Sequence, residues 1–204
     1  GNPSTWNPAQ RAGPDGKQID QKWSMSIMAR NPETGMAAWL YQMTPFDQWD
    51  YDGVNEAILI DIPWKGEQRK VLVHPDRNGY IYVIDRTTGK LLSAEPYHHI
   101  TSSKGVDLES GRLIYNEEKE PSGDKFVKDV CPAPPGAKDW QPAAFSHKTG
   151  HLYIPHNNLC MDMKETAVGY ISGTPYVGAE VLMKAGPGGH RGEFSAWDVV
   201  AGKE

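Results

Sequence analysis

Only two cysteines, Cys131 and Cys160, and four phenylalanines occur in the 204 residues. Two cysteines without histidines at ligand spacing make a poor zinc site. They leave open a disulfide in an oxidising compartment or two reduced core thiols. No run approaches the ~18 apolar residues of a membrane-spanning helix. Acidic residues outnumber basic ones, 26 to 21, for a net charge of −5. That balance gives no electrostatic footprint for nucleic acid or an anionic membrane. No Gly-x-Ser-x-Gly elbow occurs. The run Gly186-Pro187-Gly188-Gly189 lacks the Lys-Ser/Thr of a phosphate loop and reads as a plain loop. No signal-peptide pattern is present. The chain opens on Gly1-Asn2-Pro3 and stops at Gly202-Lys203-Glu204, and both ends are expected to be cuts in something longer.

What is abundant is Trp (7), Tyr (9), Gly (21) and Pro (16). Helix-period stripes are hard to find, so the composition predicts an all-β protein punctuated by turns. Residues 1–22 read as a loop. From Trp23 the pattern alternates, with Trp23, Met25, Ile27 and Ala29 expected on one face of a strand. Met36 to Gln42 pairs with it as a hairpin. Further strands are expected over Glu56 to Ile62, Arg69 to His74, Tyr80 to Asp85 and Lys90 to Ala94. Residues 98–140 are less regular, and residues 161–192 give no readable strand pattern.

The turns repeat. Asn31-x-x-x-Gly35-x-x-x-Trp39 is the fullest copy. Asp85 to Gly89, Asp107 to Gly111 with Tyr115 in the Trp position, Ser146 to Gly150 and Asp198 to Gly202 follow. The Asp or Asn caps a turn, the Gly takes a positive φ, and the aromatic packs on the next sheet. Such units, at roughly 40–50 residues each, predict propeller blades, and the chain holds about four of them. A closed four-bladed ring is rare, so part of a larger ring is expected.

The stretch Pro45-Phe46-Asp47-Gln48-Trp49-Asp50-Tyr51-Asp52-Gly53-Val54-Asn55 packs three carboxylates among three aromatics. On an extended backbone, Asp50 and Asp52 point to one face and repel. They read either as a polar turn or as hard oxygen ligands for Ca²⁺ or a similar cation. Asn2 offers a neutral oxygen to a cation or to a turn. Arg77 is either an exposed turn residue or a planar fork for a carboxylate or a quinone oxygen pair. The seven histidines are scattered and read as structural.

Taken in order, Gly1-Asn2-Pro3-Ser4-Thr5-Trp6-Asn7, the 45–55 stretch, Asp76-Arg77-Asn78-Gly79, and Gly136-Ala137-Lys138-Asp139-Trp140-Gln141-Pro142 through Asn158-Leu159-Cys160-Met161-Asp162 resemble one family. It is the quinoprotein alcohol dehydrogenases that use pyrroloquinoline quinone (PQQ), nearest the methanol dehydrogenase large subunit. The resemblance runs essentially the whole chain. It implies an eight-bladed propeller with PQQ and a hard cation in the axial funnel. It implies Asn2, Asp50 and Asp52 as metal ligands, with Asp50 also the catalytic base. It implies Arg77, Asp139, Asn2 and Asp50 at the cofactor, and a structural disulfide between Cys131 and Cys160. The turns match the family's Trp-docking motif, with Asn31 in place of Asp and Ser93 in place of Trp. An Asp at position 52 is similar to the lanthanide-dependent class, where calcium enzymes carry a small residue. A trivalent ion favours one more anionic ligand.

The implied reaction is oxidation of methanol or another small primary alcohol to the aldehyde. Electrons pass to a cytochrome c, in the periplasm, from a full-length protein that is a homodimer. The family's adjacent-cysteine disulfide has no counterpart here. Its stacking Trp and metal-ligand Glu lie upstream of Gly1 in relatives, so the 204 residues alone are expected neither to close a ring nor to hold PQQ. A non-catalytic propeller scaffold and a calcium-using ethanol dehydrogenase are the rival readings.

Overall fold

The computed structural model describes residues 5–204. It is built from short antiparallel strands, with two single-turn 3₁₀ segments at Pro8–Gln10 and Glu117–Lys119. The strands are β1 (Ser26–Arg30), β2 (Ala37–Gln42), β3 (Ile58–Trp64), β4 (Glu67–Pro75), β5 (Tyr80–Asp85), β6 (Leu91–Pro96) and β7 (Ser103–Val106). They continue as β8 (Leu113–Tyr115), β9 (Val127–Val130), β10 (Ala144–Ser146), β11 (His151–Asn157), β12 (Leu159–Glu165), β13 (Ala179–Ala185) and β14 (Gly192–Asp198).

The four strands β3-β4-β5-β6 form one complete up-and-down blade. Its centre is β5, whose six residues are all buried. Alternation explains why both of its faces are covered. Ile81 and Val83, with Ile60, Ile62, Val71 and Val73, pack on Leu152, Ile154 and Trp197 of the β10-β11-β14 sheet. Tyr80, Tyr82 and Ile84, with Leu72, pack the other way on Tyr41, Met43 and Leu113. The blade is therefore stacked between β10-β11-β14 on one side and the β1-β2 and β7-β8 hairpins on the other. A third cluster joins Trp49 and Tyr51 to Val130, Met161 and Met163 of the β13-β12-β9 sheet. At ~25 cal/mol per Å² and about 200 Å² per ring, each of these two buried aromatics contributes roughly 5 kcal/mol before side-chain entropy.

The five predicted turns share one geometry. Gly35, Gly89, Gly111, Gly150 and Gly202 each donate their N–H to the carbonyl four residues back, and all five have φ between 68° and 78°. Trp39 docks on the next turn. Its Nε1 donates to the Arg86 carbonyl at 3.0 Å, and a Cβ on Gly89 would stand 2.7 Å from its ring.

One expectation is corrected. The first strand starts at Ser26, not Trp23, because Met25 takes φ 46° and turns the backbone; Trp23 is exposed, not on the face that Ile27 shares. Among the described residues only one blade is four-stranded, and the other sheets have two or three strands. The unreadable 161–192 region holds most of β12 and all of β13, whose Ala-Glu-Val-Leu-Met-Lys-Ala lacks clean alternation.

Candidate active site

The 45–55 stretch is not a strand. Its backbone is organised by Asp47, which is fully buried. Asp47 Oδ1 accepts the N–H of Trp49 and Oδ2 accepts that of Tyr51, both at 3.0 Å. Burial pushes the Asp47 carboxyl up to about 6, opposed by those two N–H donors and by Arg11. Asp50 lies between the two amides in a left-handed conformation, φ 71°, which Asp tolerates better than most residues. The positive φ falls at Asp50 and not at Gly53. The expectation that Asp50 and Asp52 share a face of an extended segment is therefore corrected. The flanking rings stack in the core, Trp49 on Tyr51 at 5.5 Å and on Tyr115 at 6.0 Å. The Tyr51 hydroxyl donates to the Pro132 carbonyl at 2.7 Å.

Arg77 sits at the tip of the turn between β4 and β5. Gly79 donates to the Asp76 carbonyl at 3.1 Å, and Asp76 donates to that of Tyr80 at 2.9 Å. The guanidinium turns inward and is only 11% exposed. Its Nη1 donates to the Asp52 carbonyl at 2.7 Å, and its Nη2 donates to the Pro134 carbonyl. Nη2 stands 3.9 Å from the Asp50 carboxylate and Nη1 stands 3.6 Å from that of Asp139. One buried cation thus gathers Asp50, the backbone of Asp52, and Asp139.

The 131–139 segment is fixed beneath it. Ala137 donates to the Arg77 carbonyl at 2.9 Å. Gly136, at φ 74°, lies against the Arg77 side chain. Lys138 is fully buried, and its Nζ meets Glu56 at 2.8 Å and the Asp139 carbonyl at 3.2 Å. Buried ammonium groups need such partners. The disulfide implied for Cys131 and Cys160 is present, with S–S 2.01 Å. It ties this segment to β12.

Asp50, Arg77 and Asp139 are thus brought together. Asp52 also lines a cavity of about 180 Å³ with Met25, Met43 and His74. Asn2 lies outside the described residues. Among the described residues, no three His, Cys, Asp or Glu side chains are gathered as a metal cluster; the predicted set, Asn2, Asp50 and Asp52, has only two such side chains. Sequence reasoning missed the Lys138–Glu56 pair, for which no motif signalled, and the organising role of Asp47. An Asp two before Trp and four before Tyr was the available hint.

A family model described as the β-propeller domain of PQQ-dependent glucose/ethanol/alcohol dehydrogenases matches residues 7–103. The chain is 50% identical, over its whole length, to a lanthanide-dependent methanol dehydrogenase of Methylorubrum extorquens, of which it covers 35%. It is 47% identical, over 99% of its length, to a protein of the same name from Methylacidiphilum fumariolicum, of which it covers 33%. The solved structure of a europium-containing methanol dehydrogenase superimposes with TM-score 0.89 at 47% identity, over 98% of this chain and 34% of that one. The chain spans about a third of the length of the relatives it matches.

Proposed function

We propose that the chain belongs to the PQQ-dependent glucose/ethanol/alcohol dehydrogenase β-propeller family, which its likeness to those proteins supports, and that the full-length protein oxidises methanol or another small primary alcohol to the aldehyde. Residues 1–204 form part of its eight-bladed ring. PQQ is the cofactor, a lanthanide ion the metal, and a cytochrome c the electron acceptor of a periplasmic homodimer. The Cys131–Cys160 disulfide supports an oxidising compartment. The observation that carries the reading is the buried Arg77 guanidinium holding Asp50, Asp139 and the Asp52 carbonyl at one place. A purely structural propeller has no use for that arrangement.

The residues present fit the two groups. Arg77 Nε, Asp139 Oδ1 and Asn55 Oδ1 are buried without a hydrogen-bond partner. Buried polar atoms are almost always satisfied, so three at one locus suit a polar, oxygen-rich ligand. The hard carboxylates of Asp50 and Asp52, with the Asn2 amide, suit a hard cation. A second acidic residue suits a trivalent one.

When bound, PQQ supplies a two-electron acceptor and the cation a Lewis acid. Arg77 and Asp139 would hold the quinone, with Asn2, Asp50 and Asp52 at the metal. Asp50 takes the hydroxyl proton of the alcohol as general base. Arg77 restrains the Asp50 carboxylate and, through the Asp52 carbonyl, the chain that follows it. The stacked Trp49 and Tyr51 exclude water from behind the base.

The test is alcohol-dependent reduction of a dye acceptor by the full-length protein supplied with PQQ and metal. Asp50→Asn is expected to lower kcat by about 10²-fold or more, the scale of a general base. Wild-type protein that turns over no primary alcohol, or an Asp50→Asn variant of normal rate, contradicts the proposal.

A further inference from the structure

We propose that Asp47 is a positioning residue for Asp50, its buried carboxylate holding the turn that presents the base. The inference rests on the role given to Asp50 above. Asp47 is separate from the residues that would touch alcohol, cofactor or metal.

The geometry of the turn sets Asp47 apart from the other turn-opening residues. Asn31 and Asp107 open exposed turns, and Asp85, which is buried, puts Oδ1 alone on its two turn amides and Oδ2 on Arg69. At Asn31 a single side-chain oxygen, Oδ1, accepts both turn amides, those of Glu33 and Thr34. Asp47 is wholly buried and uses both oxygens, one on the amide before Asp50 and one on the amide after it. A carboxylate withdrawn from water carries a desolvation cost, and that cost appears as the rise of its pKa towards 6. The fold alone does not require it, since a glycine would supply the positive φ at position 50.

The surroundings are arranged to hold that charge. Arg11 donates to the Asp47 carbonyl, and its guanidinium lies 4.5 Å from the Phe46 ring. Trp49 and Tyr51 are anchored in the core by stacking and by the Tyr51–Pro132 hydrogen bond. With residues 49 and 51 fixed by their rings and their amides fixed by Asp47, the residue between them has little freedom. The direction of the Asp50 carboxylate towards Arg77 follows.

The test uses the full-length protein and compares Asp47→Asn with Met161→Ala, a core variant in the same cluster. Asp47→Asn keeps the shape but faces one amide donor with another donor. The readouts are kcat, KM, thermal midpoint, and Tb³⁺ luminescence titration of the apoprotein, which needs no turnover. Asp47→Asn is expected to lower kcat and Tb³⁺ affinity about 10- to 100-fold, the range for residues that orient a ligand, with KM nearly unchanged. Met161→Ala, at equal or greater loss of thermal midpoint, is expected to keep both. If the two variants lose kcat and Tb³⁺ affinity alike, Asp47 is only structural and the inference falls. If Asp47→Asn does not fold, the smaller Asp47→Ser is read in the same way. If neither folds while Met161→Ala does, the inference is also overturned. A wild type that binds Tb³⁺ but oxidises no alcohol sinks the proposed function and leaves the Tb³⁺ comparison to decide the role of Asp47.

Discussion

A Cβ placed on Gly136 would stand 2.6 Å from the Cβ of Arg77. Only a residue without a side chain lets the 131–139 segment lie that close to the Cα, Cβ and Cγ of Arg77. Gly136 also has φ 74°. Gly136→Ala is expected to cost about 2–5 kcal/mol, combining the left-handed penalty with overpacking. Chemical denaturation of the full-length protein checks the loss, and turnover is expected to fall with it. A Gly136→Ala protein of unchanged stability would mean that the Arg77 contact is not formed.

The Cys131–Cys160 bridge closes a loop with a sequence separation of 29. Loop-closure entropy puts its contribution at roughly 3–4 kcal/mol. The double variant Cys131→Ser/Cys160→Ser is expected to unfold at lower denaturant by that amount. Because Pro132 and Pro134 receive hydrogen bonds from Tyr51 and Arg77, its activity is also expected to fall. Wild-type protein in reducing agent should behave like the double variant.

His98 gives a pH signature. It is buried, and burial, followed by the neighbouring His156, lowers its pKa to about 4; His99 acts in the same sense and Glu193 opposes. The unfolded chain therefore takes up this proton first, near 6.5. His98 contributes stability that is present above pH 6.5 and lost as pH falls towards 4. Unfolding midpoints at pH 7.5, 6 and 5 should decline, and His98→Phe should reduce that decline. An equal decline in the variant assigns the acid sensitivity elsewhere.

Much of the fold was legible because it is local. The Asp85 to Gly89 turn and the strand Tyr80–Asp85 appear where the sequence places them. Strand β13 was not legible, since Glu180, Val181, Leu182 and Met183 do not alternate with the burial they adopt. At the site, the residue types could be read but not their convergence. Asp139 reaches Arg77 only because β4, β5 and the 131–139 segment fold together. The left-handed conformation of Asp50 carries no sequence signal of its own, since the residue is not a glycine. Lys138 reads as a surface residue from composition, and only packing shows it buried on Glu56.

The central claim, that Asp52 adapts an alcohol-oxidising site to a trivalent ion, is tested most directly by metal-dependent turnover. Full-length wild type and Asp52→Ala are each supplied with PQQ and either La³⁺ or Ca²⁺, and methanol oxidation is measured. Wild type is expected to turn over with La³⁺ and much less with Ca²⁺, and Asp52→Ala to lose at least about tenfold of the La³⁺ rate. Turnover of wild type with Ca²⁺ alone, or full La³⁺ activity in Asp52→Ala, would contradict it.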